Sequence, residues 1–240
     1  MQSVVDELAS LADPAYREFQ AKLVPTVDPA RILGVRTPEL RAFARRFAAD
    51  DRCDAFLAEL PHRTYEEMNL HAELIARLAA TPDQAVAMLD AFLPHVDNWA
   101  TCDLIRTPAF KRDHPAALAQ VCRWTAPGMP EYAVRFGVNL LIEHFLKEDF
   151  SPDHLGLVAR IDRVEYYINM ARAWYLSLAI VRHPDEALPF FEERPLRLDP
   201  WTHNKALQKA RESRVPTAEQ KAYLQALKVK VPRAAKGTAR

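Results

Sequence analysis

The chain is poor in glycine, with five glycines among 240 residues. Sheet-rich sandwiches and barrels need many tight turns, and glycine is the residue that such turns most often require. Its scarcity therefore argues against those folds. The sequence also contains no apolar run close to the roughly 20 residues that a membrane helix needs, so we expect no membrane association.

Cysteine is scarce as well. The three cysteines, Cys53, Cys102 and Cys122, show no metal-ligand spacing, which favours reduced thiols in a cytoplasmic protein. The first twelve residues include Asp6 and Glu7 and do not resemble a secretory signal. The eight histidines follow no ligand pattern and no glycine-rich phosphate loop occurs, so we expect neither a metal nor an organic cofactor.

Alanine, leucine, arginine and glutamate are abundant, and all four are good helix formers. Hydrophobic residues make up 49% of the chain and charged residues 27%, which is ordinary for a soluble protein with a large core. The composition therefore predicts an all-α protein.

The charge is balanced overall but unevenly distributed. From Arg197 to Arg240 there are eleven Lys and Arg against three acidic residues, a balance of +8 that leaves −8 on the first 196 residues. A basic C-terminal quarter suits an anionic partner such as nucleic acid, and equally a solvated face. Within it, Lys205 and Lys209 lie one helical turn apart, a spacing that suits backbone phosphates.

Prolines divide the chain at regular intervals. Six dipeptides end in Pro38, Pro82, Pro115, Pro152, Pro184 and Pro216, which are separated by 44, 33, 37, 32 and 32 residues. Proline is favoured at the first position of a helix, and amphipathic segments at 64–80, 131–146 and 164–182 lie between these marks. A repeated helix pair of this length is typical of a HEAT-like α-solenoid.

We therefore predict a curved stack of about six antiparallel helix pairs. It would form one domain over residues 1–229 of a monomeric protein, followed by a flexible basic tail at 230–240. In such a stack the second helices of successive repeats line a concave surface.

The most informative segment is V-D-N-W-A-T-C-D at residues 96–103, which sets Trp99 and Asp103 four residues apart. On a helix both side chains share one face, one turn apart. An indole next to a carboxylate suits a flat or sugar-like cation. Each residue also fits a plainer role, Trp99 as a packed core aromatic and Asp103 as an exposed acid or a partner of Arg106.

Arg135 lies in the otherwise apolar helix E-Y-A-V-R-F-G-V-N-L-L-I. Because a buried unpaired charge costs several kcal/mol, we expect Arg135 to meet a carboxylate such as Asp103, or a ligand phosphate. Arg135 follows Trp99 by 36 residues and precedes Trp174 by 39, each close to one repeat. We expect the three to project from corresponding helices, although core packing is the plainer interpretation of Trp174.

Five segments carry a family resemblance: L-G-V-R-T-P-E-L-R at 33–41, V-D-N-W-A-T-C-D at 96–103, Y-A-V-R-F-G at 132–137, Y-Y-I-N-M-A-R-A-W at 166–174 and N-K-A-L-Q-K-A-R-E-S at 204–213. In order and spacing they resemble the AlkD family of HEAT-like-repeat DNA glycosylases. The resemblance covers residues 16–228, nearly the whole chain.

The resemblance implies repair of alkylated double-stranded DNA by hydrolysis of the N-glycosidic bond of cationic purines, such as N3-methyladenine and N7-methylguanine. By position, it makes Asp103 the catalytic carboxylate, Trp99 and Trp174 the aromatic walls at the deoxyribose, and Arg135 a contact to the backbone at the lesion. Independently of the resemblance, we predict further DNA-backbone contacts from the basic residues Arg36, Lys205 and Lys209.

Active members of this family carry an N-terminal helix that probes the DNA minor groove. Here residues 1–25 contain only Arg17 and Lys22 as basic residues, which is closer to a paralogous branch in which that helix is reduced. The alternative to an enzyme is therefore a HEAT-type protein that binds nucleic acid or protein with weak or no excision activity.

Overall fold

A computed structural model describes residues 3–147 and 149–231. Over these residues the fold is all-α, as predicted, with fourteen α-helices, three short 3-10 helices and a single isolated β-bridge between Ala12 and Val35. The predicted tail at 230–240 lies outside the described residues from 232 onward. No helix in the described ranges is long and apolar enough to cross a bilayer.

The chain divides into two compact units, Met1–His144 and Phe145–Arg240, here called the N-terminal and C-terminal units. The helices of the N-terminal unit are α1 Val4–Ala9, α2 Pro14–Leu23, α3 Thr37–Phe47, α4 Cys53–Ala58, α5 Tyr65–Leu78, α6 Pro82–Phe92, α7 Trp99–Leu104, α8 His114–Trp124 and α9 Glu131–His144. Those of the C-terminal unit are α10 Pro152–Ala159, α11 Tyr166–Arg182, α12 Pro184–Glu192, α13 Pro200–Glu212 and α14 Ala218–Ala226.

The proline marks coincide with helix starts. Helices α3, α6, α8, α10 and α12 each carry their proline in the first turn, where the missing N–H would have no intrahelical partner. Thr81 and Ser151 cap α6 and α10 through capping boxes. Pro216 instead precedes Thr217, the N-cap of α14. The proline spacing therefore located the repeat correctly.

Each unit is built from helices stacked in two rows. In the N-terminal unit α5, α7 and α9 pack side by side in one row, and α6 packs on α8 in the other. In the C-terminal unit α11 packs on α13, while α10 packs on α12. In both units each helix packs on the next helix of the same row, which is the arrangement predicted for HEAT-like repeats.

A buried carboxylate fixes the loop that leads into α3. Glu66 on α5 is fully buried and accepts hydrogen bonds from the backbone N–H groups of Leu33, Gly34 and Val35 at 2.8, 2.7 and 3.2 Å. Burial raises the pKa of Glu66, and the three backbone donors act against that rise. The loop is thus tied to the centre of the N-terminal unit.

Gly34 gives a sharp test of this loop. Its φ is +99°, and a Cβ there would lie 2.6 Å from the Asp13 carbonyl oxygen and 2.7 Å from the Arg17 Cβ. We expect Gly34→Ala to lower the free energy of unfolding by at least ~2 kcal/mol, because it combines left-handed strain with a clash. Urea unfolding measures the change.

The matched control is Gly128→Ala. Gly128 has a φ of +84°, but a Cβ added there would have no atom within 4 Å. The substitution should therefore cost only the backbone strain, about 1 kcal/mol. Equal losses of unfolding free energy in the two variants would show that the loop at Gly34 accommodates the added Cβ without a further loss of stability.

Two histidines form the middle of an aromatic stack inside the N-terminal unit. His62 Nε2 lies 2.9 Å from His71 Nδ1, and each ring stacks on a phenylalanine, His62 on Phe56 at 4.2 Å and His71 on Phe92 at 4.3 Å between ring centroids. Burial lowers the pKa of His62 to about 4 and that of His71 to about 3. Both rings are therefore neutral in the folded protein at pH 7.

This stack makes the protein sensitive to acid. An unfolded histidine binds its proton near pH 6.5, whereas His62 and His71 resist protonation until about pH 4 and 3. The free energy of unfolding should therefore be greatest above pH 6.5 and fall as the pH drops towards 4.

Chemical unfolding at several pH values measures this slope. The double variant His62→Leu/His71→Phe should show a shallower slope. The pH dependence that remains in this variant comes from His144, His154 and His203, whose pKa values burial also lowers. A slope identical to that of the unmodified protein would contradict the assignment.

Candidate active site

Helix α7 is short and held by its cap. Asn98 precedes it and its Oδ1 accepts from the Thr101 N–H at 2.8 Å, while the Thr101 hydroxyl donates to Asn69 Oδ1 on α5 at 2.6 Å. All three side chains are buried. The six-residue helix therefore has a fixed start, which makes Trp99 its first residue and Asp103 its fifth.

Asp103 and Arg135 form a bidentate ion pair between α7 and α9. Arg135 Nε donates to Asp103 Oδ1 at 2.8 Å, and Arg135 Nη2 donates to Asp103 Oδ2 at 2.6 Å. The side chains are 7% exposed for Arg135 and 19% for Asp103, so the pair is largely desolvated yet its carboxylate still reaches solvent. The expected pairing of Arg135 with a carboxylate is confirmed.

The pair favours its charged form. Burial opposes the charge of Arg135, but the hydrogen bonds and the negative charge of Asp103 outweigh it and raise the pKa of the guanidinium above its ordinary value. A planar guanidinium that donates hydrogen bonds to both carboxylate oxygens also fixes the orientation of the carboxylate. The geometry thus presents an oriented carboxylate to solvent at the surface of α7.

A third group that the sequence analysis missed is Asn139. It lies one turn after Arg135 on α9, and its Nδ2 donates to Asp103 Oδ1 at 2.7 Å. The Oδ1 atom of Asn139 is buried without a hydrogen-bond partner among the described residues, and such an atom is costly. The signal was available in the sequence, because Asn139 is a second polar residue at i+4 from Arg135 in an apolar helix.

Trp99 lies at the edge of the core. Its ring is half-buried and packs against a cluster of Val24, Val27, Ile32 and Tyr65, while its Nε1 donates to the Leu23 carbonyl oxygen at the end of α2 at 3.0 Å. The interpretation of Trp99 as a packed core aromatic is therefore confirmed in part, and its role beside a sugar-like cation stays a prediction. The indole is anchored by core contacts, and the rest of it remains accessible one turn from Asp103.

The C-terminal unit carries the remaining candidates on two helices that pack together. Trp174 is half-buried on α11, and Lys205 and Lys209 are half-buried on α13, with Lys205 Nζ 3.3 Å from Gln208 Oε1. Along α11, Trp174 falls in a stripe of accessible residues spaced by four, Tyr166, Met170, Trp174 and Leu178. That Trp174 meets Asp103 in one groove stays a prediction.

Arg36 is exposed and already has a partner. Its Nε and Nη2 donate to Asp13 Oδ2 at 2.9 and 2.8 Å, and its guanidinium lies 4.9 Å from the centre of the Tyr16 ring. The hydrogen bond from Arg36 is the largest of the effects that lower the pKa of Asp13. Because the ion pair is exposed and weak, a phosphate can replace Asp13, and the predicted DNA contact stays a prediction.

The thiol beside Asp103 takes no part in this chemistry. Cys102 is fully buried and its Sγ donates to the Tyr132 carbonyl oxygen at 3.4 Å. Burial raises its pKa well above the ordinary value, so it is not a nucleophile at neutral pH. Over residues 3–147 and 149–231, no group of three or more His, Cys, Asp or Glu side chains is arranged to hold a metal ion.

The stacked helix pairs and the carboxylate centre define a HEAT-like protein with a polar site on its second helices. The sequence model of the DNA alkylation repair enzyme family matches residues 4–210. The chain therefore belongs to the DNA alkylation repair enzyme family, as the resemblance to AlkD indicated. Neither a curated protein nor a solved structure matches the chain.

The ion pair can be tested through stability. We expect Arg135→Gln to lower the free energy of unfolding by about 3 kcal/mol, because it leaves a mostly buried carboxylate without its counter-charge. The matched control is Arg123→Gln on α8, since Arg123 pairs with Asp90 where both side chains are about 40% exposed (42% and 41%). That control should cost less than about 1 kcal/mol, and urea unfolding compares the two. Equal losses would mean that the Arg135 pair contributes no more than a surface pair.

Proposed function

We propose that the protein is a DNA glycosylase that hydrolyses the N-glycosidic bond of cationic alkylpurines, such as N3-methyladenine and N7-methylguanine, in double-stranded DNA. The observation that carries this proposal is the Asp103 carboxylate, held by Arg135 and Asn139 with an accessible indole one turn away. Membership of the DNA alkylation repair enzyme family supports alkylated DNA as the substrate.

The chemistry needs little more than this carboxylate. A cationic purine is already an activated leaving group, so the electron pair of the glycosidic bond moves onto the base, which departs neutral. The sugar becomes oxocarbenium-like, and a nearby carboxylate stabilises that positive charge. Water then forms the new bond to the anomeric carbon and gives up its proton to Asp103 or to solvent.

Arg135 and Asn139 contribute by preorganisation. Because three donated hydrogen bonds hold Asp103 before substrate arrives, little reorganisation is needed when charge develops on the sugar. The accessible part of the Trp99 indole adds a π face, which attracts a cation by about 0.5–2 kcal/mol. Asp103 and Trp99 would thus touch the reacting sugar, and Arg135 and Asn139 would position Asp103.

For DNA binding we propose the basic residues of α13 together with Trp174 of α11. Lys205 and Lys209 lie on one face of α13 one turn apart, which suits successive phosphates. Trp174 would then be the second aromatic wall at the lesion. Arg36 would join the backbone contacts by exchanging Asp13 for a phosphate.

The decisive experiment incubates the protein with N-methylated duplex DNA and measures released methylpurine. Asp103→Asn keeps the side-chain shape and should reduce release at least ~100-fold, because it removes the charge that stabilises the transition state. Asp90→Asn, which changes an exposed carboxylate on α6, is the matched control and should leave release unchanged. Thermal unfolding checks that both variants remain folded.

Two outcomes would contradict the proposal. Release that persists in Asp103→Asn would place catalysis elsewhere. No release by the unmodified protein at any concentration, with salt-sensitive DNA binding retained, would support the alternative of a non-catalytic DNA-binding member of the family.

A further inference from the structure

The C-terminal unit contains a cavity that the proposed reaction does not use. Its volume is about 680 Å³, and it opens between the end of α10, the start of α11 and the start of α13. Cavities of this size hold small organic ligands. The residues that line the cavity all belong to the C-terminal unit, whereas Asp103 belongs to the N-terminal unit.

One side of the cavity is aromatic. Tyr166 is 57% exposed, and its ring meets the Trp201 ring edge-to-face with 5.9 Å between centroids. Val164, in the loop beside them, is 91% exposed. Folding leaves these apolar groups uncovered at the mouth of a concave site, which is where a flat partner would stack.

The charged residues of the lining are mostly basic. Four arginines, Arg160, Arg163, Arg172 and Arg197, line the cavity together with two acidic residues, Asp162 and Asp199, which gives a balance of +2. Such a surface favours an anion.

Three of these arginines form a fixed floor and a reachable rim. Arg172 is buried and donates to the Val158 and Ala159 carbonyl oxygens as well as to Asp199 at 3.1 Å, so it forms the floor. Arg160 is exposed and has no ion pair among the described residues. Arg197 has an exposed ion pair with Glu193, and its guanidinium lies 5.5 Å from the centre of the Phe190 ring. Exposed pairs exchange readily for a ligand, so Arg160 and Arg197 can bind an anion.

We propose that this cavity binds an unpaired nucleotide of a nucleic-acid strand, with its base against Tyr166 and Trp201 and its phosphate at Arg160 and Arg197. Aromatic faces beside arginines are the combination that binds single strands without sequence preference. The strand also has a path onward, because Lys205 and Lys209 follow Trp201 at one and two turns along the same face of α13.

The test is fluorescence anisotropy of a 5′-phosphorylated, 3′-labelled (dT)8 oligonucleotide titrated with the full-length protein. Tyr166→Ala should weaken binding by about 5- to 100-fold, the loss expected for one stacked base. Arg160→Gln should weaken it and lower the dependence on salt by about one phosphate contact. Both side chains are exposed, so both variants should fold, and circular dichroism checks this.

The matched controls remove the same residue types outside the cavity. Tyr223→Ala changes an exposed tyrosine of the same unit, and Arg45→Gln changes an exposed arginine of α3; both should bind the oligonucleotide as the unmodified protein does. Asp103→Asn should also bind it normally, so this proposal and the glycosylase proposal fail separately.

Free dTMP tells whether the nucleotide must be part of a strand. If dTMP quenches the tryptophan fluorescence of the unmodified protein but not that of Trp201→Phe, the site is supported and also accepts a free nucleotide. Affinities of Tyr166→Ala and Arg160→Gln equal to those of the controls would overturn the proposal. Binding of a phosphotyrosine peptide in place of both nucleotide probes would overturn it as well.

Discussion

The ion pair between Asp103 and Arg135 is the constraint on which the candidate site depends. A guanidinium in an apolar helix must find a counter-charge, and the carboxylate that serves it is the one at the surface of α7. The same contact joins two helices of one row and orients the carboxylate. Stability and proposed catalysis therefore rest on the same atoms, so a variant of either residue must be assessed for both.

The sequence predicted those features that local rules determine. Proline at the first turn of a helix has a steric cause that does not depend on distant contacts, and for this reason the proline spacing located the helix pairs. That Arg135 would meet a carboxylate was predictable for an energetic reason, because a buried guanidinium without a counter-charge costs several kcal/mol. The placement of Trp99 and Asp103 one turn apart was predictable as well, because it depends only on the helical period.

Contacts between distant segments could not be predicted in the same way. The bond from the Trp99 indole to the Leu23 carbonyl oxygen joins residues 76 positions apart, and the engagement of Arg36 by Asp13 depends on how α2 meets the loop at Gly34. The histidines looked scattered because His62 lies in a loop and His71 in α5, so no periodic pattern connects them. Asn139 was overlooked for a different reason, since a neutral amide in an apolar helix looks weaker than a charge.

The burial of Cys102 has a consequence for a member of a DNA alkylation repair family, which alkylating agents can reach. Such agents attack thiolates as well as purines, and attack on a thiolate requires deprotonation and access. Cys102 offers neither, whereas Cys122 is exposed. Cys102, next to the proposed catalytic carboxylate, is therefore shielded from alkylation, whereas the sulfur of Cys122 in α8 is accessible to such agents.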